Sequence, residues 1–252
     1  MRSIAALVLF VVCLGRPLAG VSAAEVKVAS ALAMSPALKA LASEFERTSG
    51  HKLVLIFGTA GQVKDRVEAG ERIDLVITAG RAVDDLIKQG KVATGSRVDV
   101  AKVGIGLAVR SGAPKPDIST TEAFKRTLLA AQSIGRGDPA AGGAAGTHVA
   151  RVLERLGIDA EVKAKSKLST GPAIAELAAR GEVEIAITQI SEIVPVPGVD
   201  LVGPLPQELQ NITVFAAGIG ANATEPDAAR ALINFLTGPG SAEIKKTGME
   251  PG

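Results

Sequence analysis

Tryptophan and tyrosine are absent from this sequence, and its aromatic rings are those of six phenylalanines and two histidines. Without indole or phenol rings, aromatic cages for sugars or quaternary amines are not expected. Cys13 is the single cysteine, so thiolate metal sites are excluded. His51 and His148, far apart in sequence, are a poor basis for an imidazole site. Neither a metal nor a cofactor is expected. Long hydrophobic runs are also missing. The longest, Ile4 to Leu14, falls short of the roughly 20 apolar residues that span a bilayer.

What the run does fit is an export leader. Met1-Arg2 is a short basic start, Arg16-Pro17 ends the apolar stretch, and Val21-Ser22-Ala23-Ala24 supplies small residues before Glu25. Residues 1–24 are therefore expected to be a signal peptide, cut after Ala23 or Ala24. Val12 before Cys13 does not suit a lipoprotein cleavage site. The leader holds two of the 28 basic residues and none of the 26 acidic ones, so the remaining chain is formally neutral. Phosphate neutralisation thus has no excess charge to draw on, and nucleic acid is not an expected partner. The leader also carries off Cys13, leaving a chain without thiol or disulfide that must rely on its core. At 252 residues there is enough chain for one large domain or two small lobes.

β-branched runs alternate with amphipathic stretches along that chain. Strands are expected at Val26–Ala29, Leu53–Phe57 and Asp74–Ala79. Helices follow each, the first opened by Ser35 and Pro36 as N-cap and N1, the third running from Ala82 to Gln89. A second set starts with Val103–Val109 and a capping box at Ser119-Thr120-Thr121-Glu122. It continues with strands at Ser133–Gly135, Glu161–Lys165, Glu184–Gln189 and Leu201-Val202, and a helix at Pro172–Arg180. Ile212–Ile219 is a long apolar strand before two closing helices, near Pro226–Leu236 and Gly240–Lys246. Ten strands would be many for one open sheet, which favours two α/β lobes.

Four small-residue loops, each running from a strand into a helix, hold the informative chemistry. They are Ser30–Ser35, Gly58–Gly61, Asp138–Thr147 and Ser169–Pro172. Small residues admit a ligand to the backbone, and helix N-termini offer unpaired N–H groups and a positive dipole end. In open α/β sheets such loops gather at the carboxyl ends of strands. Singly each reads as an ordinary turn; together they describe an anion held between helix ends. No Gly-x-Ser-x-Gly elbow, phosphate-binding Gly-Lys loop or His-Glu-x-x-His is present, and Gly104-Ile105-Gly106 lacks the third glycine of a dinucleotide fingerprint.

Over nearly all of its length beyond the leader, the chain resembles the periplasmic molybdate-binding proteins of ABC importers, within the type 2 periplasmic binding proteins. The likeness rests on Val28-Ala29-Ser30-Ala31, Glu68-Ala69-Gly70 before Asp74–Ala79, Gly137-Asp138-Pro139 with Ala145-Gly146, and Gly238-Pro239 with Ala242-Glu243-Ile244. It implies two lobes of mixed sheet flanked by helices, closing over an oxyanion in the cleft between them. The lobes would comprise residues 25–104 with 213–252, and 105–212, with hinge crossings near Gly104–Val109 and Asn211–Ala217. It also implies a monomeric periplasmic protein whose small anionic ligand is handed to an ABC permease. A signalling receptor is the other conceivable recipient.

The family's binding positions fall on Ala33 and Ala60, where serines are replaced, on Ala145 and Gly171, where backbone N–H groups serve, and on Gln189 in place of a tyrosine. Ser30, Ser35 and Thr59 stand close enough in sequence to supply the missing hydroxyls. Arg81 and Arg136 follow strands and suit the bidentate pairing that carboxylates favour. With two serines lost, they point to a ligand longer than a bare oxyanion, such as a di- or tricarboxylate. Bacterial aconitate isomerase is similar to these binding proteins, and the chain resembles that branch too. Such a reaction needs an acid/base and oxyanion donors but no cofactor. His148 and Asp138 are the candidates for the acid/base, though they also read as a helix histidine and a turn former.

Overall fold

The computed structural model describes residues 23–252, so the expected leader lies outside the described residues apart from Ala23 and Ala24. In chain order the elements are β1 (Glu25–Ala31), α1 (Ser35–Ser49), β2 (Lys52–Gly58), α2 (Ala60–Glu68), β3 (Leu75–Ala79), α3 (Gly80–Lys88), β4 (Val98–Val103) and β5 (Ile105–Arg110). Then come α4 (Thr121–Ala130), β6 (Ile134–Gly137), α5 (Ala144–Leu156), α6 (Asp159–Ala164), β7 (Ser166–Ser169), α7 (Ala173–Ala179), β8 (Ile185–Gln189) and β9 (Val199–Pro204). The chain closes with β10 (Thr213–Ile219), α8 (Pro226–Thr237), α9 (Ser241–Lys246) and β11 (Glu250–Pro251).

These strands form two mixed sheets with helices on both faces. One has six strands in the order β11-β4-β10-β3-β1-β2, and the other five in the order β7-β6-β8-β5-β9. The β1–β2, β1–β3 and β6–β8 pairs are parallel, as short strand–helix–strand units require. In the first sheet Val28, Leu75, Ile77 and Phe215 pack under Leu38, Leu41 and Phe45 of α1 and Leu232 and Leu236 of α8. Ala29, Val76 and Ala216 face Val63 and Val67 of α2 and Val83 and Leu86 of α3. In the second sheet Ile105, Leu107, Ile134 and Ile187 meet Phe124, Leu128, Val149 and Leu153, while Ala108 and Ala186 meet Ile174 and Ala178. Strands covered on both faces read as near-continuous apolar runs, which is why they stand out in the sequence.

One buried acid fastens the first sheet. The Asp74 carboxylate, 2% exposed, accepts from the N–H groups of Lys27 (2.8 Å), Thr224 (2.7 Å) and Glu225 (3.1 Å) and from the Thr224 hydroxyl (3.2 Å). It ties β1, the entry to β3 and the loop before α8. The chain leaves the first sheet through Gly104, the single residue between β4 and β5, and returns through residues 205–212. Gln210 braces both passages. Its Oε1 accepts from Ile105 N (2.8 Å) and Asn211 N (2.9 Å), and its Nε2 donates to Ile105 O (2.8 Å).

Several local expectations are corrected. Glu161–Lys165 is not a strand, since α6 occupies Asp159–Ala164 and the strand follows at Ser166–Ser169. Ile158 and Val162, four apart and both buried, give a helical stripe, with Asp159 and Glu161 suiting the N-terminal end and Lys163 the C-terminal end. Ser35 is the first residue of α1 rather than its N-cap, because a 3-10 turn over Leu32–Met34 already carries the chain into helical geometry. Thr120, not Ser119, caps α4, accepting from Ala123 N, while Ser119 is held by Asp117. The strand expected at Ser133–Gly135 runs from Ile134 to Gly137, so Arg136 lies inside it.

Candidate functional site

All four small-residue loops converge on one cavity of ≈ 40 Å³ between the two sheets. The first sheet contributes Ala31–Ala33, Thr59, Ala60 and Phe215. The second contributes Gly137, Asp138, Gly143–Gly146, Ser169–Gly171, Ile174, Thr188, Gln189 and Glu192. The lobes touch at its mouth. The Thr59 hydroxyl donates to Ala141 O, Gly61 N donates to Gly142 O at 3.2 Å, and Gly171 packs against Leu32.

Helix ends supply most of the polarity. On α2, Thr59 and Gln62 satisfy each other in a capping box and Gly61 N is taken by Gly142 O, leaving Ala60 N without an acceptor among the described residues. On α5, Gly143 is the N-cap and offers no side chain. Ala144, Ala145 and Gly146 therefore keep N–H groups that meet no acceptor among the described residues. α5 is 13 residues long, and its positive dipole end adds to those donors. It sits this close because Gly146 and Gly137 meet backbone to backbone; a Cβ on Gly146 would lie 2.9 Å from Gly137 C.

Side chains complete the wall. Gln189, 4% exposed at the end of β8, has an Nε2 with no hydrogen-bond partner. Glu192, 6% exposed, follows in a 3-10 turn, and the Thr188 hydroxyl donates to its Oε2. Burial pushes the Glu192 carboxyl up to about 7, against the lowering pull of the Thr188 hydroxyl and the Gln189 N–H. Asp138 turns its carboxylate onto Ala140 N at 2.9 Å, a turn-forming contact. Among the described residues, no lysine or arginine lines the cavity. No helix among the described residues is long and apolar enough to cross a membrane, and no group of three metal-ligating side chains occurs among them.

The structure thus brings Ala33, Thr59, Ala60, Ala145, Gly171 and Gln189 together, and sets the other sequence candidates elsewhere. Ser30 is fully buried within β1, its hydroxyl directed at Ala31 O. Ser35 lines a neighbouring groove with Lys39, Pro172 and Arg180. Arg81 and His148 share a groove with Lys64, Arg151 and Asn211 that adjoins the cavity at Ala60 and Ala144, and His148 Nε2 contacts Leu209 O at 2.8 Å. Arg136 does not reach the cavity. It is 3% exposed, on the Ile134 side of β6, and its Nε donates to Ser166 Oγ at 2.8 Å. Burial lowers its pKa while Asp159 and Asp138 raise it.

The two arginines should therefore behave differently. Arg136→Ala is expected to lower stability by about 1.5 kcal/mol, through the lost hydrogen bond to Ser166 and the lost packing of the buried side-chain stem. Arg81→Ala should leave the melting temperature unchanged and slow anion association several-fold at low salt only. Melting curves and stopped-flow binding read these effects; a stable Arg136→Ala protein would contradict the placement.

Glu192, Thr188 and Phe215 were not singled out from sequence. The signal for Glu192 was its position, an acid three residues past the end of an apolar strand, where α/β folds place ligands.

The family model for bacterial extracellular solute-binding proteins matches residues 26–250. An aconitate isomerase from Pseudomonas sp is 35% identical over 221 residues, 85% of this chain and 83% of the relative. The molybdate-binding protein ModA of Azotobacter vinelandii is 30% identical over 239 residues, covering 89% of this chain and 88% of its own. A solved periplasmic molybdate-binding protein from that organism superposes with a TM-score of 0.72 at 23% identity, over 89% of this chain and 98% of the other.

Proposed function

This chain belongs to the bacterial extracellular solute-binding protein family, and from that premise we propose that it captures a small anion between its lobes in the periplasm and delivers it to an ABC permease. The observation that carries the reading is the donor set. Three free N–H groups of α5, Ala60 N and the unpartnered Gln189 amide line one cavity to which no described residue contributes a formal cation. Such neutral, pre-aimed donors bind anions without neutralising them. The volume of ≈ 40 Å³ suits a compact species, since a single water needs about 10–15 Å³. The leader-like N-terminus and the molybdate-binding relative agree with this role.

Thermal denaturation against molybdate, tungstate, sulfate and aconitate tests it. An anion at 100 times its dissociation constant should add about 2.7 kcal/mol of stability. A melting temperature indifferent to all four would overturn the reading.

A second reading, an aconitate-type isomerase, is favoured by Glu192 and by the 35% identical relative. A buried carboxyl on the cavity wall is suited to taking a proton from one substrate carbon and returning it to another. Interconversion of cis- and trans-aconitate, followed by NMR in heavy water, separates an enzyme from a carrier.

A further inference from the structure

Glu192 stands out as the buried carboxyl of the cavity wall, held only by its own turn through the Thr188 hydroxyl and the Gln189 N–H. Asp138, the other acid there, is occupied by its own turn. Glu192 sits three residues past Gln189, whose amide already lacks a partner, and the two side chains line the same cavity. We propose that Glu192 acts as a neutral hydrogen-bond donor to the bound anion, so that under conditions where the empty site is ionised each anion captured takes up one proton. This rests on the anion-binding reading and specifies how the cavity tells protonation states apart.

The chemistry is that of a carboxyl beside an anion. Protonated, it offers an O–H donor; ionised, it places a second negative charge in a desolvated site. Among the described residues, the hydrogen bonds that hold its ionised form come from the Thr188 hydroxyl and the Gln189 N–H. The facing turn Leu32–Met34 has no titratable group, and β5 has only Arg110, exposed at its far end. Lys245 and Lys246, near the Gly248 that touches Ile190, are exposed. Because burial raises the carboxyl to about 7, the switch falls within the ordinary pH range.

Calorimetric titration of molybdate and of tricarballylate at pH 6 to 9, in buffers of differing ionisation heat, tests this. Molybdate keeps one charge state over that interval, so any pH dependence it shows belongs to the protein. Affinity for the anion that binds at pH 6 should fall by about a hundredfold by pH 9, a tenfold loss per unit above the titration point. Proton uptake should approach one per anion at pH 8. Glu192→Gln should bind at pH 9 within about threefold of its pH 6 affinity and take up no proton. Thr188→Val, which removes a donor to the ionised form, should shift the loss of affinity to higher pH. A flat wild-type profile, an unchanged slope in Glu192→Gln, or affinity that rises with pH would overturn the inference while leaving anion binding intact. No binding of either anion at any pH would instead overturn the anion reading itself.

Discussion

Replacing Gly146 with valine is expected to weaken anion binding at least a hundredfold while the protein still folds. Gly146 lies in the first turn of α5, and an added Cβ would sit 2.9 Å from Gly137 C and 3.1 Å from Asp138 O. These are backbone atoms of β6 and its following loop, which cannot swing aside as a side chain does. The helix end must therefore move, by something like an ångström, and with it the N–H groups of Ala144, Ala145 and Gly146. Hydrogen bonds weaken steeply over such a displacement. Bonds to a charged acceptor contribute about 1.5–3 kcal/mol each, so losing two is worth a hundredfold or more. Overpacking of this kind costs about 1–3 kcal/mol of stability, within what a domain of this size tolerates. Titration calorimetry alongside circular dichroism reads both effects. Wild-type affinity in the valine variant would remove α5 from the binding site.

The second large effect concerns the fold alone. Asp74→Ala should lower stability by about 3 kcal/mol, or roughly 6–12 °C in melting temperature, because several buried donors lose their common acceptor. Burial by itself would push the Asp74 carboxyl up. The hydrogen bonds from Lys27, Glu225 and Thr224 outweigh it and hold the group below its ordinary value of 3.8. A folded-state pKa below the unfolded one contributes stability that is complete above the unfolded value and disappears as pH falls through the folded value. The difference between wild type and variant should thus be constant from neutral pH down to about pH 4 and shrink only below that. A gap that closes at pH 6 would mean the carboxylate is not held as described.

Much of the fold was legible because its strands are buried on both faces and its helices carry an apolar stripe. Val26–Ala29 and Asp74–Ala79 are such strands, and Leu38, Leu41 and Phe45 mark one such stripe. The segment Glu161–Lys165 misled because polar and apolar residues alternate there, and only the spacing of Ile158 and Val162 reveals the helix. The loops that meet at the cavity were visible as small-residue runs before helices. Which residues inside them face the cavity was not, since it depends on register. An end two residues later than expected in β6 turned Arg136 from a loop cation into a buried strand residue. Glu192 escaped notice for a different reason. A carboxyl near a strand end is ordinary until the packing that strips its water is known.

The brace built by Gln210 bears on how the two halves of the molecule move. Two independent strings between bodies would allow sliding and twisting as well as bending. Here the outgoing passage at Gly104–Ile105 and the returning one at Gln210–Asn211 are clasped by a single amide, which lies over Gly104 where any Cβ would come within 3.1 Å of it. Clasped in this way, the pair is expected to act as one shaft that resists shear and torsion more than bending. Closure on such a shaft would follow few trajectories, those that bring the anion's two half-sites into register.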